Sequence, residues 1–355
     1  METIESTGEL SPPSGQEPGL WRRIAPKLAI SVVLGALFAW LAQRGGVPLL
    51  PPAAGFAAVE WPLVGAAAVL LFVVTWFRAT RWRFLIAPVA RLPLKEVLIV
   101  NWIGFFAIFA LPLRLGELAR PSLTKLRAGV PVSVGLGTVA VERVIDGLVT
   151  SLCVAWALWM VARRETDDPL ALAVPLYGTA VLAVFVCALM ALGAFLWKRT
   201  LAVRLTKWGF ALVSPRLGEI LAGKVDSVAD GIRSIGDPRL AAAFVAETLV
   251  YWGVNVCFMW VLGLACGLPM HAGHAMAVMG VLALGILLPS GPGLFGNFQV
   301  AVSAALKLYF ADELVGGAGA VYIFLLYALN ALMMIAVGLV PLKKDLTISQ
   351  FAAIF

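Results

Sequence analysis

Charge is scarce in this chain. Only 13% of its 355 residues are Asp, Glu, Lys or Arg, whereas a soluble protein carries about a quarter. By contrast, 61% of the residues are hydrophobic, and several apolar stretches exceed the length of about 18 residues that marks a bilayer-spanning helix. This composition excludes a soluble globular protein. We expect an all-α integral membrane protein with a single membrane domain at 25–342 and no separate catalytic domain.

Cysteine and histidine are scarce as well. Neither His271 nor His274 has a carboxylate or a cysteine at useful spacing beyond its loop neighbours. Gly-rich phosphate loops, nucleophile elbows and zinc-protease helices are absent. We therefore expect no metal, no cofactor, no nucleotide hydrolysis and no enzymatic activity. The four cysteines lie in or at the end of apolar segments, as small core residues do: Cys153, Cys187, Cys257 and Cys266.

The two ends of the chain are polar. Residues 1–24 begin with an acidic stretch rich in Ser, Pro and Gly, which predicts a disordered tail. No basic residue occurs in the first twenty, so the start is unlike a signal peptide. We interpret the first apolar segment, which follows Arg22, Arg23 and Lys27, as a retained anchor. Residues 343–355 are expected to form a C-terminal tail.

The apolar segments predict six spanning helices, and the basic residues orient them. The net charge of +7 is concentrated in a few loops, which is typical of the cytoplasmic side of a membrane protein and does not indicate nucleic-acid binding. One such loop is predicted after the second span and contains Arg78, Arg81 and Arg83. Both termini are therefore expected to be cytoplasmic, in a bacterial inner membrane. The predicted spans are 27–43, 62–79, 133–161, 170–197, 240–266 and 316–340.

Two further apolar regions do not fit as simple spans. Region 96–130 is interrupted by Pro112 and region 275–311 by a Pro- and Gly-rich stretch, and each must begin and end on one side to keep the charge pattern. We predict two re-entrant helical hairpins, the alternative being ordinary kinked helices. Units 62–161 and 240–340 would then form an inverted repeat, which is typical of transporters. Segment 198–239, amphipathic in part, would link them in the cytoplasm.

Two groups of ionisable residues interrupt the apolar sequence. Charges at membrane depth are costly and usually face a cavity or each other. Pro112 suits the first turn of a half-helix that would direct its N–H groups inward, and Arg114 in that turn would complete an anion site. Gly116 allows close helix approach. The charged residues are Arg114, Glu117, Arg120, Glu142, Arg143 and Asp146.

These charges have two interpretations. They form either a buried lattice of ion pairs that only holds the first hairpin in place, or a lattice that also lines a headgroup path. The second hairpin supplies another inward-pointing helix start without charge, for gating, neutral hydrogen bonding or packing. Its helix-breaking and helix-starting residues are Pro289, Pro292, Gly293, Gly296, Asn297 and Gln299.

The motifs around Arg114–Arg120 and Glu142–Gly147 resemble those of the lysylphosphatidylglycerol synthase membrane-domain, or flippase-like, family, and the stretch from Pro289 to Gln299 resembles that family's further motif. The resemblance covers about residues 25–342 and implies an inner-membrane protein linked to lipid translocation. Stand-alone members are associated with hopanoid, glycolipid and polyprenyl-linked pathways. We expect no soluble aminoacyl-transferase domain in this chain, so lysyl transfer is not implied, and the chain has Gln299 where the synthases often have an acid.

Two functions follow from these observations. The first is a lipid flippase, whose partner is a phospholipid, glycolipid, hopanoid or polyprenyl-linked lipid. The second is an accessory or scaffold protein for a lipid-modifying enzyme. A membrane enzyme using Glu142 and Asp146 as acid and base is the weakest hypothesis, because no nucleophile or metal set accompanies them.

Overall fold

The computed structural model describes residues 53–111, 116–160, 169–211, 214–232, 236–286 and 292–345, with a few single positions before residue 53. All secondary structure in these ranges is helical, which confirms the predicted all-α class. The predicted tail at 1–24, the predicted first span at 27–43 and residues 346–355 of the C-terminal tail lie outside the described residues or contain only isolated described positions.

The principal helices are, in chain order, α1 Trp61–Thr80, α2 Leu94–Ala110, α3 Ala119–Ala128, α4 Val132–Met160, α5 Pro169–Trp197, α6 Arg199–Ala211, α7 Pro215–Ile232, α8 Pro238–Ala265, α9 Ala272–Gly285, α10 Asn297–Lys307 and α11 Ala320–Asp345. A short helix, Trp82–Ile86, continues α1, because Arg81 between them keeps a right-handed helical conformation. A π-helical turn, Val315–Gly319, leads into α11.

Within the described ranges, four helices are long and apolar enough to cross a membrane: Trp61–Ile86, Ala173–Phe195, Pro238–Ala265 and Asp312–Pro341. They coincide with four of the six predicted spans, and the protein is a multi-pass membrane protein. The predicted span at 133–161 forms the 29-residue helix α4, which carries three charges near its middle and is not among the four.

Helices α1 and α8 pack extensively against each other and run antiparallel. The Glu60 N–H donates to the Ala265 carbonyl at 2.9 Å near one end, and the Thr80 hydroxyl donates to Glu247 at 2.8 Å near the other. Helix α8 begins where Asp237 accepts hydrogen bonds from the Arg239 and Leu240 N–H groups, a standard N-terminal cap. This pair of helices is the frame on which the other elements pack.

Helix α3 folds back along α2. Next to the connection, Gly116 lies against the backbone of Ala107, where a Cβ would be 2.1 Å from the carbonyl carbon. At the far end, Arg127 donates to both Glu96 carboxylate oxygens at 2.5 and 3.0 Å. Residues next to the connection in one helix contact residues next to it in the other, and the far ends also contact each other. Helices α2 and α3 therefore form an antiparallel helical hairpin, which we call hairpin 1.

Helices α9 and α10 form a second antiparallel hairpin, which we call hairpin 2. Gly285 lies against Ala301, where a Cβ would be 2.5 Å from the alanine methyl. Near the opposite end, the His274 ring lies 5.0 Å from the Tyr309 ring. The chain thus reverses its direction between α9 and α10, where Pro and Gly predicted a break.

The two hairpins pack on the two long helices in a reciprocal way. Helix α2 packs against α11, where a Cβ on Gly338 would be 2.2 Å from Phe106. Helix α9 packs against α4, where a Cβ on Gly280 would be 2.3 Å from Val154. Small residues therefore allow close approach at both contacts, as is common between membrane helices.

Helices α6 and α7 occupy the predicted linker at 198–239 and pack against each other. Arg199 joins them through Asp226 at 2.7 Å and Asp230 at 3.0 Å. Helix α7 also packs on α4 at a glycine contact, where a Cβ on Gly231 would be 2.1 Å from the Val134 carbonyl oxygen. The backbones of α4 and α7 are therefore in direct contact.

This contact predicts opposite effects for two glycine substitutions in α7. Gly231→Ala should lower the melting temperature of the purified protein in detergent, because the new methyl meets a carbonyl oxygen that cannot move aside. Gly223→Ala should leave it unchanged or raise it, since nothing lies within 4 Å of a Cβ there and Ala is favoured over Gly in helices by about 1 kcal/mol. Equal shifts for the two variants would contradict the contact.

Candidate functional site

Arg81 lies at the centre of a group of buried charges. Its Nη1 and Nη2 atoms form two parallel hydrogen bonds to Asp146, at 2.6 and 2.7 Å. Nη2 also donates to Glu142 at 3.0 Å, and Nη1 to the Thr248 hydroxyl at 3.2 Å. The residue is fully buried. One guanidinium group therefore joins helices α1, α4 and α8.

This position corrects the sequence analysis, which assigned Arg81 to a cytoplasmic loop. The apolar stretch continues beyond residue 79, because Trp82–Ile86 extends the helix and its side chains Trp82, Leu85 and Ile86 are buried. Arg78 is likewise part of α1 and not of a loop. Two arginines three residues apart on a helix followed by apolar residues were a signal that the loop interpretation overlooked.

Arg120 extends the buried charges towards hairpin 1. Its Nη2 lies 2.7 Å from Glu142 Oε2, and both side chains are almost fully buried. Its guanidinium lies over the rings of Trp82 and Phe105, at 5.4 and 5.7 Å from their centroids. Gly104 provides the space, since a Cβ there would be 2.2 Å from Arg120 Cγ. Arg120, Glu142, Arg81 and Asp146 thus form a continuous chain of ion pairs.

Glu117 and Arg143 are placed differently. Glu117 and Arg120 are three residues apart, a spacing that would place them on one face of a regular helix. Glu117 instead lies in a short turn before α3, with its Oε1 3.9 Å from Arg143 Nε and both side chains one quarter exposed. Arg120 turns away to Glu142. Pro112 and Arg114 lie outside the described residues.

A cavity of about 390 Å³ lies beside this chain of ion pairs. Its charged lining residues are Arg78, Glu117, Arg143 and Asp146. Glu117 comes from the connection in hairpin 1, and Gly293 and Leu294 line the cavity from the connection in hairpin 2. The volume falls in the usual range for small-ligand sites. Both hairpin connections therefore meet at one cavity.

The charged residues of the cavity lining come from one set of elements. All four charged residues among its described lining come from α1, hairpin 1 and α4, which we call the charged wall. The lining residues from α8, hairpin 2 and α11, which we call the uncharged wall, are largely apolar or aromatic, such as Leu282, Phe298 and Tyr327. Asp146 is the one described member of the ion-pair chain that reaches the cavity, and the Trp252 indole donates to it at 3.1 Å.

The charged cluster comprises Arg78, Arg81, Glu117, Arg120, Glu142, Arg143 and Asp146. Four guanidinium groups face three carboxylates in it, so the described residues carry one uncompensated positive charge. The ion-pair contacts of Arg81, Arg120 and Arg143 are those given above. Arg78 has no ion pair with a described residue, and its guanidinium lies 4.3 Å from the centroid of the Phe105 ring.

The second hairpin places its predicted residues around a helix start. Gly293 and Gly296 have positive φ, 68° and 89°, which favours glycine. The buried Gln299 side chain accepts a hydrogen bond from the Gly296 N–H at 2.8 Å, so it caps α10. Asn297 is the first residue of that helix. Pro292 begins the turn Pro292–Leu294, and Pro289 lies outside the described residues.

Within the described part of the chain, no group of three or more His, Cys, Asp or Glu side chains is arranged to hold a metal ion. The site is therefore built from arginines, carboxylates and aromatic side chains. Such a set can bind and release an anionic or polar group through ion pairs and hydrogen bonds.

The family model for the lysylphosphatidylglycerol synthase TM region matches residues 27–338. The chain belongs to this family. The match extends over the charged cluster, both hairpins, three of the four candidate spans and nearly all of the fourth, and it implies a membrane role related to lipids. No curated protein and no solved structure matches the chain.

The ion-pair chain predicts different costs for two nearby arginines. Arg81→Ala would leave Glu142 and Asp146 buried with one partner fewer, and breaking a buried pair in this way costs about 3–5 kcal/mol. Arg83→Ala would break a pair to Glu247 whose arginine side chain is 43% exposed, which costs about 1 kcal/mol or less. Thermal unfolding in detergent, followed by circular dichroism, should show a much larger loss for Arg81→Ala.

A further variant distinguishes lost charge pairing from lost packing. Adding Asp146→Asn to Arg81→Ala removes the carboxylate that pairs with Arg81, while Glu142 keeps its pair with Arg120, and it should recover part of the stability. If the double variant is less stable than Arg81→Ala alone, Asp146 is not held by Arg81 in the way described.

Proposed function

We propose that this protein is a lipid translocase that moves an anionic or polar-headgroup lipid between the leaflets of the inner membrane. The observation that carries the proposal is the cavity at which both hairpin connections meet. It presents charge on one wall and apolar or aromatic groups on the other. A headgroup can contact the charged wall while its acyl chains remain in the bilayer.

The lengths of the hairpin helices support a re-entrant arrangement. At about 1.5 Å per residue, the 14 residues of α9 and the 11 of α10 reach about 21 and 17 Å. Both lengths are shorter than the hydrocarbon core of about 30 Å. Each hairpin would enter the membrane and return, with its connection near the midplane.

The reciprocal packing supports an inverted repeat. Hairpin 1 lies on α11, the last helix of the second unit, and hairpin 2 lies on α4, the last helix of the first unit. In both units, the hairpin packs on the last helix of the other unit. The first helices of the two units, α1 and α8, pack against each other at the centre. In such repeats the transport site lies near the bilayer midplane, between the two units. The cavity, which is lined by residues of hairpins 1 and 2, would be that site. In this arrangement both termini face the cytoplasm.

The charged residues would have separate roles. Arg81, Glu142 and Arg120 are almost fully buried and would hold the frame. Glu117 and Arg143, which are 3.9 Å apart and partly exposed, line the cavity and would contact the headgroup. Helix α5 borders the cavity through Phe185 and is otherwise largely exposed, so acyl chains would lie beside it.

A second candidate function is that of an accessory protein for a lipid-modifying enzyme. The observation that favours it is the burial of the ion-pair chain, which a purely structural role also explains. In that case the cavity charges would not affect lipid movement, and a lipid-modifying enzyme should co-purify with the protein.

Translocation can be tested with purified protein in liposomes that contain headgroup-labelled fluorescent lipid, with dithionite quenching of the outer leaflet. Quenching should pass one half with the wild-type protein. The Glu117→Gln/Arg143→Gln variant should slow this phase about tenfold or more, since a tenfold change requires only about 1.4 kcal/mol. The control is Lys207→Gln/Glu219→Gln, which removes an exposed ion pair of 3.2 Å between α6 and α7.

The control variant should behave as the wild type does. Quenching that stops at one half for every lipid, with folded protein shown by size-exclusion chromatography, would favour the accessory function. Wild-type rates in the cavity variant would show that lipid moves by another path.

A further inference from the structure

We infer that Arg78 is the binding site for the phosphodiester group of a lipid, which gives the proposed translocase a substrate class. This inference rests on the proposed function for its biological meaning, but the site itself is defined by the geometry around Arg78. The sequence analysis assigned Arg78 to a loop and gave it no role in the site.

Arg78 differs from the other arginines of the charged cluster in its surroundings. Arg81 and Arg120 form ion pairs with buried carboxylates at 2.6 to 3.0 Å, and Arg143 lies 3.9 Å from Glu117. Arg78 has no ion pair with any described residue, although it lines the same cavity. Its guanidinium lies over the Phe105 ring at 4.3 Å, a contact that orients the group without neutralising it.

Arg78 brings to the cavity a positive charge that has no ion pair with a described residue. Such a guanidinium in an apolar region is unfavourable, and a bound anion offsets this cost. A phosphodiester carries a single negative charge, which can pair with Arg78. The planar guanidinium fork can donate two parallel hydrogen bonds to two phosphate oxygens, a geometry that an ammonium group lacks.

Helix α8 supplies an uncharged hydrogen-bond donor to the same cavity. Asn255 is four residues beyond Tyr251 on α8, so both lie on one helix face, and both line the cavity. The Asn255 amide makes no hydrogen bond to a described residue. It can therefore donate to the phosphate or to a headgroup hydroxyl without giving up a contact.

The cavity favours a lipid as the source of this phosphate. Apart from its charged wall it is lined mainly by apolar and aromatic side chains, such as Phe109, Ile286 and Met334. A free phosphate ion would lose hydration against these residues without gaining contacts. A lipid phosphodiester carries apolar groups on the same molecule.

Binding can be measured directly by native mass spectrometry of the full-length protein in detergent. The ligands are phosphatidylglycerol and a neutral diglycosyl-diacylglycerol without phosphate, with identical acyl chains, and inorganic phosphate serves as competitor. The variants are Arg78→Gln and Arg78→Lys. The matched control is Arg83→Gln, since Arg83 also lies over an aromatic ring, Phe84 at 4.6 Å, but does not line the cavity.

The wild-type protein should bind phosphatidylglycerol more tightly than the glycolipid. Arg78→Gln should weaken phosphatidylglycerol binding about tenfold and leave glycolipid binding unchanged, because charge-assisted hydrogen bonds are roughly twice as strong as neutral ones. Arg78→Lys should retain part of the preference, which also shows that the protein folds with a substituted residue 78. Arg83→Gln should bind as the wild type does.

Three results would overturn the inference: equal binding of the two lipids by the wild type, unchanged phosphatidylglycerol binding by Arg78→Gln, or binding of inorganic phosphate as tight as that of the lipid. The last would identify a free-phosphate site. If lipid binding depends on Arg78 but the protein does not translocate lipid in liposomes, the proposed translocase function is wrong and the phosphodiester site remains. If the protein translocates lipid but binding does not depend on Arg78, only the phosphodiester site is wrong.

Discussion

The bidentate pair between Arg81 and Asp146 is the interaction on which the rest of the structure depends. Glu142 and Asp146 are one helical turn apart on α4 and share a face, so a single guanidinium from α1 can serve both, and Thr248 brings α8 into the same contact. Arg120 then attaches hairpin 1 through Glu142. Without this chain, α4 would present unpaired carboxylates to an apolar interior. Asp146 belongs both to this chain and to the cavity lining, so the contact that holds the helices together also supplies one of the cavity's charges.

Much of the architecture could be predicted from the sequence, because the length of an apolar segment indicates a span and Pro and Gly residues indicate where a helix breaks. The segments at 62–79, 170–197, 240–266 and 316–340 each correspond to a candidate span. Pro and Gly indicated the breaks in both hairpin regions, since their backbone requirements are local. The lattice of buried ion pairs was also predicted in outline, because charge at membrane depth needs a partner, and Glu142 does pair with Arg120.

The centre of the site could not be predicted, because its partners are distant in sequence. Arg81 contacts Glu142 and Asp146, which are 61 and 65 residues away in the sequence. Counting basic residues to orient the spans does not distinguish an arginine in a loop from one that is buried. Arg78 was overlooked for the same reason. Gln299 looked like a substituted acid at a transport position, whereas its side chain caps the helix in which it lies. Local geometry of this kind appears only once the turn at Gly296 is seen.

The glycine contact between α4 and α7 has a mechanical consequence. Side chains between two helices can change rotamer and absorb a small displacement, but Gly137 and Gly231 leave backbone touching backbone, with a Cβ on Gly137 only 2.3 Å from the Val228 carbonyl oxygen. A shift of α7 therefore requires a matching shift of α4. Since α4 carries Glu142 and Asp146, a movement of α6 and α7 would also move the carboxylates that Arg81 holds.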